Sequence, residues 1–200
     1  MTDISRLGGD RHDFELVNRF ARDTGWLHVP VVAYATYGVI LFAGLLVVGW
    51  WLARRSGSAR RTAAAVWAGI GTVLAVGLNQ PLVSLVHEAR PYTVIPHALL
   101  LVPASADPSF PSDHATMAGA VAAGLFLVNR RLGVIAGALA LLMGFARVYV
   151  GAHYPIDVAA GLAVGAAVVL LGYAAIRPLL VPVVDALGRS RLRPLVLAAS

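Results

Sequence analysis

Arg147-Val148-Tyr149-Val150-Gly151-Ala152-His153-Tyr154-Pro155-Ile156-Asp157 joins two long apolar runs, about residues 132–150 before it and about 156–176 after it. Each run approaches the roughly 20 apolar residues that carry a helix across a bilayer. The junction therefore puts an arginine, a histidine and a carboxylate at the ends of two spanning helices. Arginine is costly there without a partner or a wet cavity. A second stretch of the same kind is Ser109-Phe110-Pro111-Ser112-Asp113-His114, just before the apolar run 115–128, and Arg90-Pro91 lies further upstream. These three stretches are expected to meet in space as one phosphate-handling site.

The composition favours a membrane-embedded chain. Of 200 residues, 58% are hydrophobic and 13% charged, whereas soluble domains carry about 25% charged residues. The absence of cysteine excludes disulfides and thiolate metal sites. Net charge is +6, and all sixteen basic residues are arginine. They fall mainly in short connectors between apolar runs, which is a topology pattern and speaks against nucleic acid as a partner. Residues 1–28 are polar and mixed in charge, so no signal peptide is expected.

The expected fold is all-α: a bundle of about five transmembrane helices with an N-terminal interfacial helix. Residues 1–12 read as a loose terminus. Phe14, Val17, Phe20 and Ala21 recur at helical spacing, and form the amphipathic stripe of the interfacial helix. Spans follow at about 30–53, 62–86, 115–128, 132–150 and 156–176. The third is short, so its start is expected to include Pro111–His114. Frequent Gly and Ala in spans two to five let the helices approach closely. One domain is expected over residues 1–200, with its core at about 14–182.

With five spans, Arg54, Arg55, Arg60, Arg61, Arg130, Arg131, Arg177 and the tail arginines 189, 191 and 193 share one side. The positive-inside rule makes that side cytoplasmic. The amino terminus is then outside, where Arg6, Arg11, Arg19 and Arg22 are offset by Asp3, Asp10, Asp13, Glu15 and Asp23. Connector 87–112 and the Arg147–Asp157 stretch share that outer side. The expected localisation is a bacterial inner (plasma) membrane, with the site on its outer face.

Phosphate esters and anhydrides need fixed positive charge around their non-bridging oxygens, and planar guanidinium groups supply it by paired hydrogen bonds. Arg90 and Arg147 are the candidates. Pro111-Ser112-Asp113-His114 reads as a helix start, where Ser112 or Asp113 can cap and free N–H groups face an anion. His114 falls in that first turn. His153 and Asp157, four apart, share a face if helical. A carboxylate on one imidazole nitrogen leaves the other as a nucleophile. One histidine attacks phosphorus and the other protonates the leaving oxygen, and the spacing alone does not say which. Metal ligation by His87, Glu88, Asp113, His114, His153 or Asp157 is the less favoured alternative, so neither metal nor cofactor is expected.

Arg90-Pro91, Pro111-Ser112-Asp113-His114 and Arg147-x5-His153-x3-Asp157 resemble, in order and spacing, the three motifs of the type 2 phosphatidic acid phosphatase (PAP2) superfamily: K-x6-RP, PSGH and SR-x5-H-x3-D. Glu88–Tyr92, Ala106–His114 and Gly144–Val158 are similar to its BcrC-type undecaprenyl pyrophosphate phosphatases. The resemblance implies that His153 is the nucleophile and forms a phosphohistidine, that Asp157 orients it, and that His114 is the general acid. Arg90, Arg147, Ser112 and nearby N–H groups would hold the phosphate. Three positions depart from the motifs: Val83 stands at the lysine, Asp113 at the glycine and Ala146 at the serine. Glu88 and Asp113 are expected to tune the site.

The activity these readings imply is hydrolysis of a polyprenyl diphosphate, most closely undecaprenyl diphosphate, to the monophosphate and inorganic phosphate. This would recycle a cell-wall lipid carrier and link the chain to bacitracin resistance. The partners are then the lipid substrate and membrane lipids, with no reading of oligomeric state. A broader lipid phosphate phosphatase is the alternative. A transporter fits less well, because the polar groups gather at one membrane edge. A silent scaffold is opposed by the retained His153, Asp157, His114, Arg90 and Arg147, and a haloperoxidase by the short, membrane-embedded chain.

Overall fold

A computed structural model describes residues 8–198, which are helical apart from short turns and the longer connector 87–112. Helix α1 (Gly8–Asp23) leads through a short 3-10 turn (Gly25–Leu27) into α2 (His28–Arg55). Helix α3 (Ala59–Val86), the one-turn α4 (Pro91–Val94) and α5 (Asp113–Val128) follow. Helices α6 (Arg130–Tyr149), α7 (Pro155–Gly188) and the short α8 (Arg193–Val196) complete the chain. Four segments are long and apolar enough to cross a membrane: Gly25–Arg55, Ala59–Val94, Arg130–Tyr149 and Pro155–Gly188. With the shorter α5 they make the five-helix bundle that the apolar runs anticipate.

Helix α5 is the hub. It packs against α2, α3, α6 and α7. Its sixteen residues reach about 24 Å at 1.5 Å per residue, less than a bilayer core of about 30 Å. The expected inclusion of Pro111 and Ser112 does not hold, because both precede the first helical residue, Asp113. A short helix is stable here because its neighbours cover it: Val121 and Leu125 are almost wholly buried with Phe42 of α2 and Met143 of α6. Close approach needs glycine. A Cβ on Gly161 of α7 would stand 2.6 Å from the Ser112 carbonyl at the head of α5.

Local chemistry sets the helix starts. Ser58 accepts the Arg61 N–H at 3.4 Å to begin α3, and Asn129 accepts the Leu132 N–H at 3.1 Å to begin α6. Helix α7 runs to Gly188, well past the expected end at 176 and through Pro178 and Pro182. Tertiary packing explains the extension: Val184 lies buried against Ala63 of α3 and Val196 of α8.

The amphipathic α1 starts earlier than its apolar stripe suggests, because residues 8–12, read as loose, are already helical. An Arg11–Glu15 ion pair at 2.9 Å and the Asp10 carboxylate, which accepts the Ile156 N–H at 3.0 Å, support that first turn. Phe14 and Ala21 are fully buried, and α1 packs on α6 and α7, while Leu16 and Phe20 stay exposed. Asp3 and Arg6, counted in the charge balance of this end, lie outside the described residues.

The bundle has two unlike ends. One joins the Arg54–Arg61 turn, the Asn129–Arg131 turn and the tail: Tyr173 donates to the Arg60 carbonyl at 3.2 Å, and the Ala198 N–H to that of Arg54 at 3.0 Å. The other end joins the C-terminus of α3, connector 87–112, the head of α5 and the α6–α7 junction. There the Ser112 N–H donates to the Asp157 carbonyl at 3.1 Å, and the Leu101 N–H to that of Val150 at 3.0 Å.

Candidate active site

The α6–α7 junction turns on Gly151, whose φ of +81° is ordinary for glycine alone. A Cβ there would also strike the Leu99 carbonyl. The turn lets residues 150–154 leave α6 and places His153 before α7 rather than on it. The expected helical face shared by His153 and Asp157 is therefore not what joins them. Asp157 stands in the first turn of α7 and accepts the Tyr154 N–H at 2.8 Å, a capping contact. The imidazole folds back over it.

A cavity of about 240 Å³ opens at this end. Arg90, Arg147, His114, His153, Asp113 and Gln80 stand on its wall. Thus residues up to 73 positions apart converge on one space. Val83, at the motif's lysine position, also faces the cavity and brings no charge. Among the lining residues, Arg90 and Arg147 are the guanidinium groups. Ser112 and Glu88 are not part of this wall. Ser112 is fully buried and makes no side-chain cap, and its Oγ has no hydrogen-bond partner among the described residues. Glu88 is buried, and its carbonyl accepts the Ser109 N–H at 2.8 Å.

Arg90 is held by carbonyls from two loops: Asp107 at 2.7 Å, Pro108 at 3.4 Å and Ala152 at 3.1 Å. Its remaining approach is to His153 Nε2, at 3.5 Å. Arg147 is 9% exposed and reaches the Ala35 carbonyl of α2 at 3.4 Å. Its Nε makes no hydrogen bond among the described residues. A buried guanidinium N–H with no protein acceptor is suited to a ligand oxygen.

The tautomer of His153 follows from its neighbours. Guanidinium can only donate, so Nε2 facing Arg90 must accept. Nδ1 lies 2.9 Å from the Ser109 carbonyl, which can only accept, so Nδ1 carries the proton. The Nε2 lone pair then faces the Arg90 guanidinium at the cavity wall. Burial pushes the imidazole below its ordinary pKa, opposed by the neighbouring Asp157. The ring is thus neutral near pH 7, as a nucleophile must be.

Three contributors escaped the sequence reading. Ser109 is fully buried and donates to Asp157 Oδ2 at 2.5 Å. Asn79 and Gln80 of α3 donate to Asp113 Oδ1 at 2.7 and 2.9 Å, and Asn79 also donates to the Pro111 carbonyl at 3.1 Å. Asp113 is therefore tied to two neutral amides rather than to an arginine. A signal existed: an Asn-Gln pair near the end of an apolar span is expensive unless it has partners.

Comparison with known proteins bears on the same residues. The sequence profile of the PAP2 superfamily matches residues 64–179, which contain all three motifs. The undecaprenyl-diphosphatase BcrC of Bacillus subtilis is 31% identical over 179 residues, covering 88% of each chain. The bacitracin transport permease protein BcrC of Bacillus licheniformis is 30% identical, covering 76% of this chain and 73% of its own. The crystal structure of the transmembrane PAP2 type phosphatidylglycerolphosphate phosphatase from Bacillus subtilis superposes with a TM-score of 0.67 at 23% identity, over 87% of this chain and 89% of that one. The arrangement of helices, the motifs it gathers and these likenesses agree that this multi-pass membrane protein belongs to the PAP2 superfamily of phosphatases.

Proposed function

We propose that this phosphatase hydrolyses undecaprenyl diphosphate to undecaprenyl phosphate and inorganic phosphate. The observation that carries the reading is the convergence of His153 Nε2, His114 and two guanidinium groups on one cavity. Likeness to an undecaprenyl-diphosphatase along 88% of the chain supports the choice of lipid.

Arg90 and Arg147 hold the terminal phosphate. His153 Nε2 attacks its phosphorus, forming a P–N bond as the bridging P–O bond breaks. His114 gives a proton to the departing lipid monophosphate. His114 then takes a proton from water, which attacks the phosphohistidine, breaks the P–N bond and releases inorganic phosphate. Asp113, held by Asn79 and Gln80, tunes this wall of the cavity, and Glu88 tunes it from behind.

An apolar groove of about 210 Å³ between Val39 of α2, Val76 of α3 and Met117 of α5 meets the cavity at Asp113 and His114. It suits the isoprenoid tail, with the leaving oxygen beside His114. Arginine-rich turns at the far end support a site on the outer face of a bacterial inner membrane.

The test is phosphate release by purified protein from undecaprenyl diphosphate, undecaprenyl phosphate and phosphatidate, with chelator present and His153→Ala in parallel. Release from the diphosphate alone, lost in His153→Ala, is expected. Equal release from phosphatidate would replace the carrier-specific reading by a general lipid phosphatase. In cells, overproduction should raise bacitracin tolerance.

A further inference from the structure

We propose that Ser109 is the positioning residue through which Asp157 acts on His153; this rests on the reading of His153 as the nucleophile. Asp157 Oδ2 is 3.6 Å from His153 Nδ1, beyond ordinary hydrogen-bond reach. The atom that takes the Nδ1 proton's hydrogen bond is the Ser109 carbonyl oxygen, at 2.9 Å. The same residue's Oγ donates to Asp157 Oδ2 at 2.5 Å, while lying 3.4 Å from Nδ1. The carboxylate therefore grips Ser109 by its side chain, and Ser109 grips the imidazole by its main chain.

Every part of this link is buried: Ser109 and Asp157 are fully buried, and His153 is 3% exposed. The link also ties the two motif loops together. The Ser109 N–H donates to the Glu88 carbonyl at 2.8 Å, and the second lobe of Asp157 Oδ2 takes the Tyr154 N–H at 2.8 Å. Connector 87–112 and the α6–α7 junction thus share one carboxylate oxygen, and the ring between them is set by both. During attack the Nδ1 proton stays on the ring. The positive charge that develops faces a carboxylate 3.6 Å away, which steadies it by Coulomb attraction without taking the proton.

The experiment uses full-length protein in detergent and four variants: Ser109→Ala, Ser109→Thr, Asp157→Asn and the double variant Ser109→Ala/Asp157→Asn. Thermal unfolding and monodispersity are followed alongside kcat, KM and the alkali-stable phosphoenzyme trapped on denaturation. Misplacing a reacting group by about 1 Å costs on the order of 100-fold. Ser109→Ala is expected to lower kcat and phosphoenzyme formation by about 10- to 100-fold, with KM within about twofold. Ser109→Thr, which keeps the hydroxyl, restores most of kcat. The double variant should be little worse than the poorer single one, because the two residues act as a unit.

Parental kcat in Ser109→Ala beside a large loss in Asp157→Asn would overturn the proposal, as would losses that multiply in the double variant. A parent that releases phosphate from no lipid fails the functional reading instead. The positioning claim is then decided by ¹⁵N spectra of histidine-labelled protein, with the His153 signal assigned by its loss in His153→Gln. An Nδ1-protonated ring in the parent and Ser109→Thr, loosened equally in Ser109→Ala and Asp157→Asn, supports it. Loosening in Asp157→Asn alone overturns it.

Discussion

His153 is buried and its imidazole is held below its ordinary pKa, and its pH behaviour follows from that. A free imidazole titrates near 6.5. Here burial lowers the value and outweighs the opposing influence of Asp157. Keeping the ring neutral is a feature of the folded state, so its stability contribution is full above about pH 6.5 and is lost as pH falls through the lowered folded value. The acid limb of kcat/KM should accordingly have its midpoint below about 6.5. A midpoint at or above that value would show a ring held charged, and the nucleophile assignment would fall. Residue-level legibility was uneven for a physical reason. Arg90, His114, Arg147, His153 and Asp157 carry side-chain chemistry that stands out against apolar runs. Ser109 acts partly through a main-chain carbonyl, which every residue owns, so its place beside His153 has no signature in the sequence.

Helix α5 has to present its first turn to the cavity, and α3 holds it there. Asn79 is fully buried, and its amide spans the Pro111 carbonyl and the Asp113 carboxylate. Asn79→Ala removes both bonds and leaves the buried Pro111 carbonyl short of a donor, a cost of about 1–3 kcal/mol. The expected result is a lower unfolding midpoint together with reduced kcat, while Gln80→Ala, at an exposed position with its own bond to Asp113, costs less. Equal stability and activity in Asn79→Ala would show that α5 needs no such clamp. On the opposite flank, Phe14 of α1 is fully buried and meets the Tyr154 ring edge-on at 5.6 Å. Phe14→Ala should weaken the docking of α1 by about 3–5 kcal/mol. The readout is faster proteolysis within residues 8–23, with loss of activity as Tyr154 and the α7 start loosen. Existence and type of these helices were legible because hydrophobic runs and caps are local. The Asn79–Asp113 clamp joins residues 34 apart, and α7 passes Pro178 because α8 returns to cover it, so neither is written in any short window.

At the scale of the whole molecule, the arginine-rich turns and the motif residues occupy opposite ends. The motif residues close one end of the bundle, where α3 and α6 finish and α5 and α7 begin. The turns at the other end carry Arg54, Arg55, Arg60, Arg61, Arg130 and Arg131, with Arg55 lying 4.2 Å from the Trp51 ring centroid and Arg54 5.5 Å from that of Trp50. Such arginine–aromatic pairs belong at a headgroup boundary, where the ring is half immersed and the cation remains wet. The separation of the ends was readable from charge placement alone, because it is set by counting spans, whereas the shape of the cavity needed side chains from distant segments. It also makes orientation testable without disturbing the site. The chain has no cysteine, so one introduced thiol reports one place. Ser56 and Ala106 are both exposed, the first in the arginine-rich turn and the second in the connector beside the cavity. In intact cells a membrane-impermeant maleimide should label Ala106→Cys and leave Ser56→Cys untouched until the membrane is opened. The reverse pattern would put the cavity on the cytoplasmic side, where a carrier lipid released at the outer surface could not reach it without first crossing the membrane.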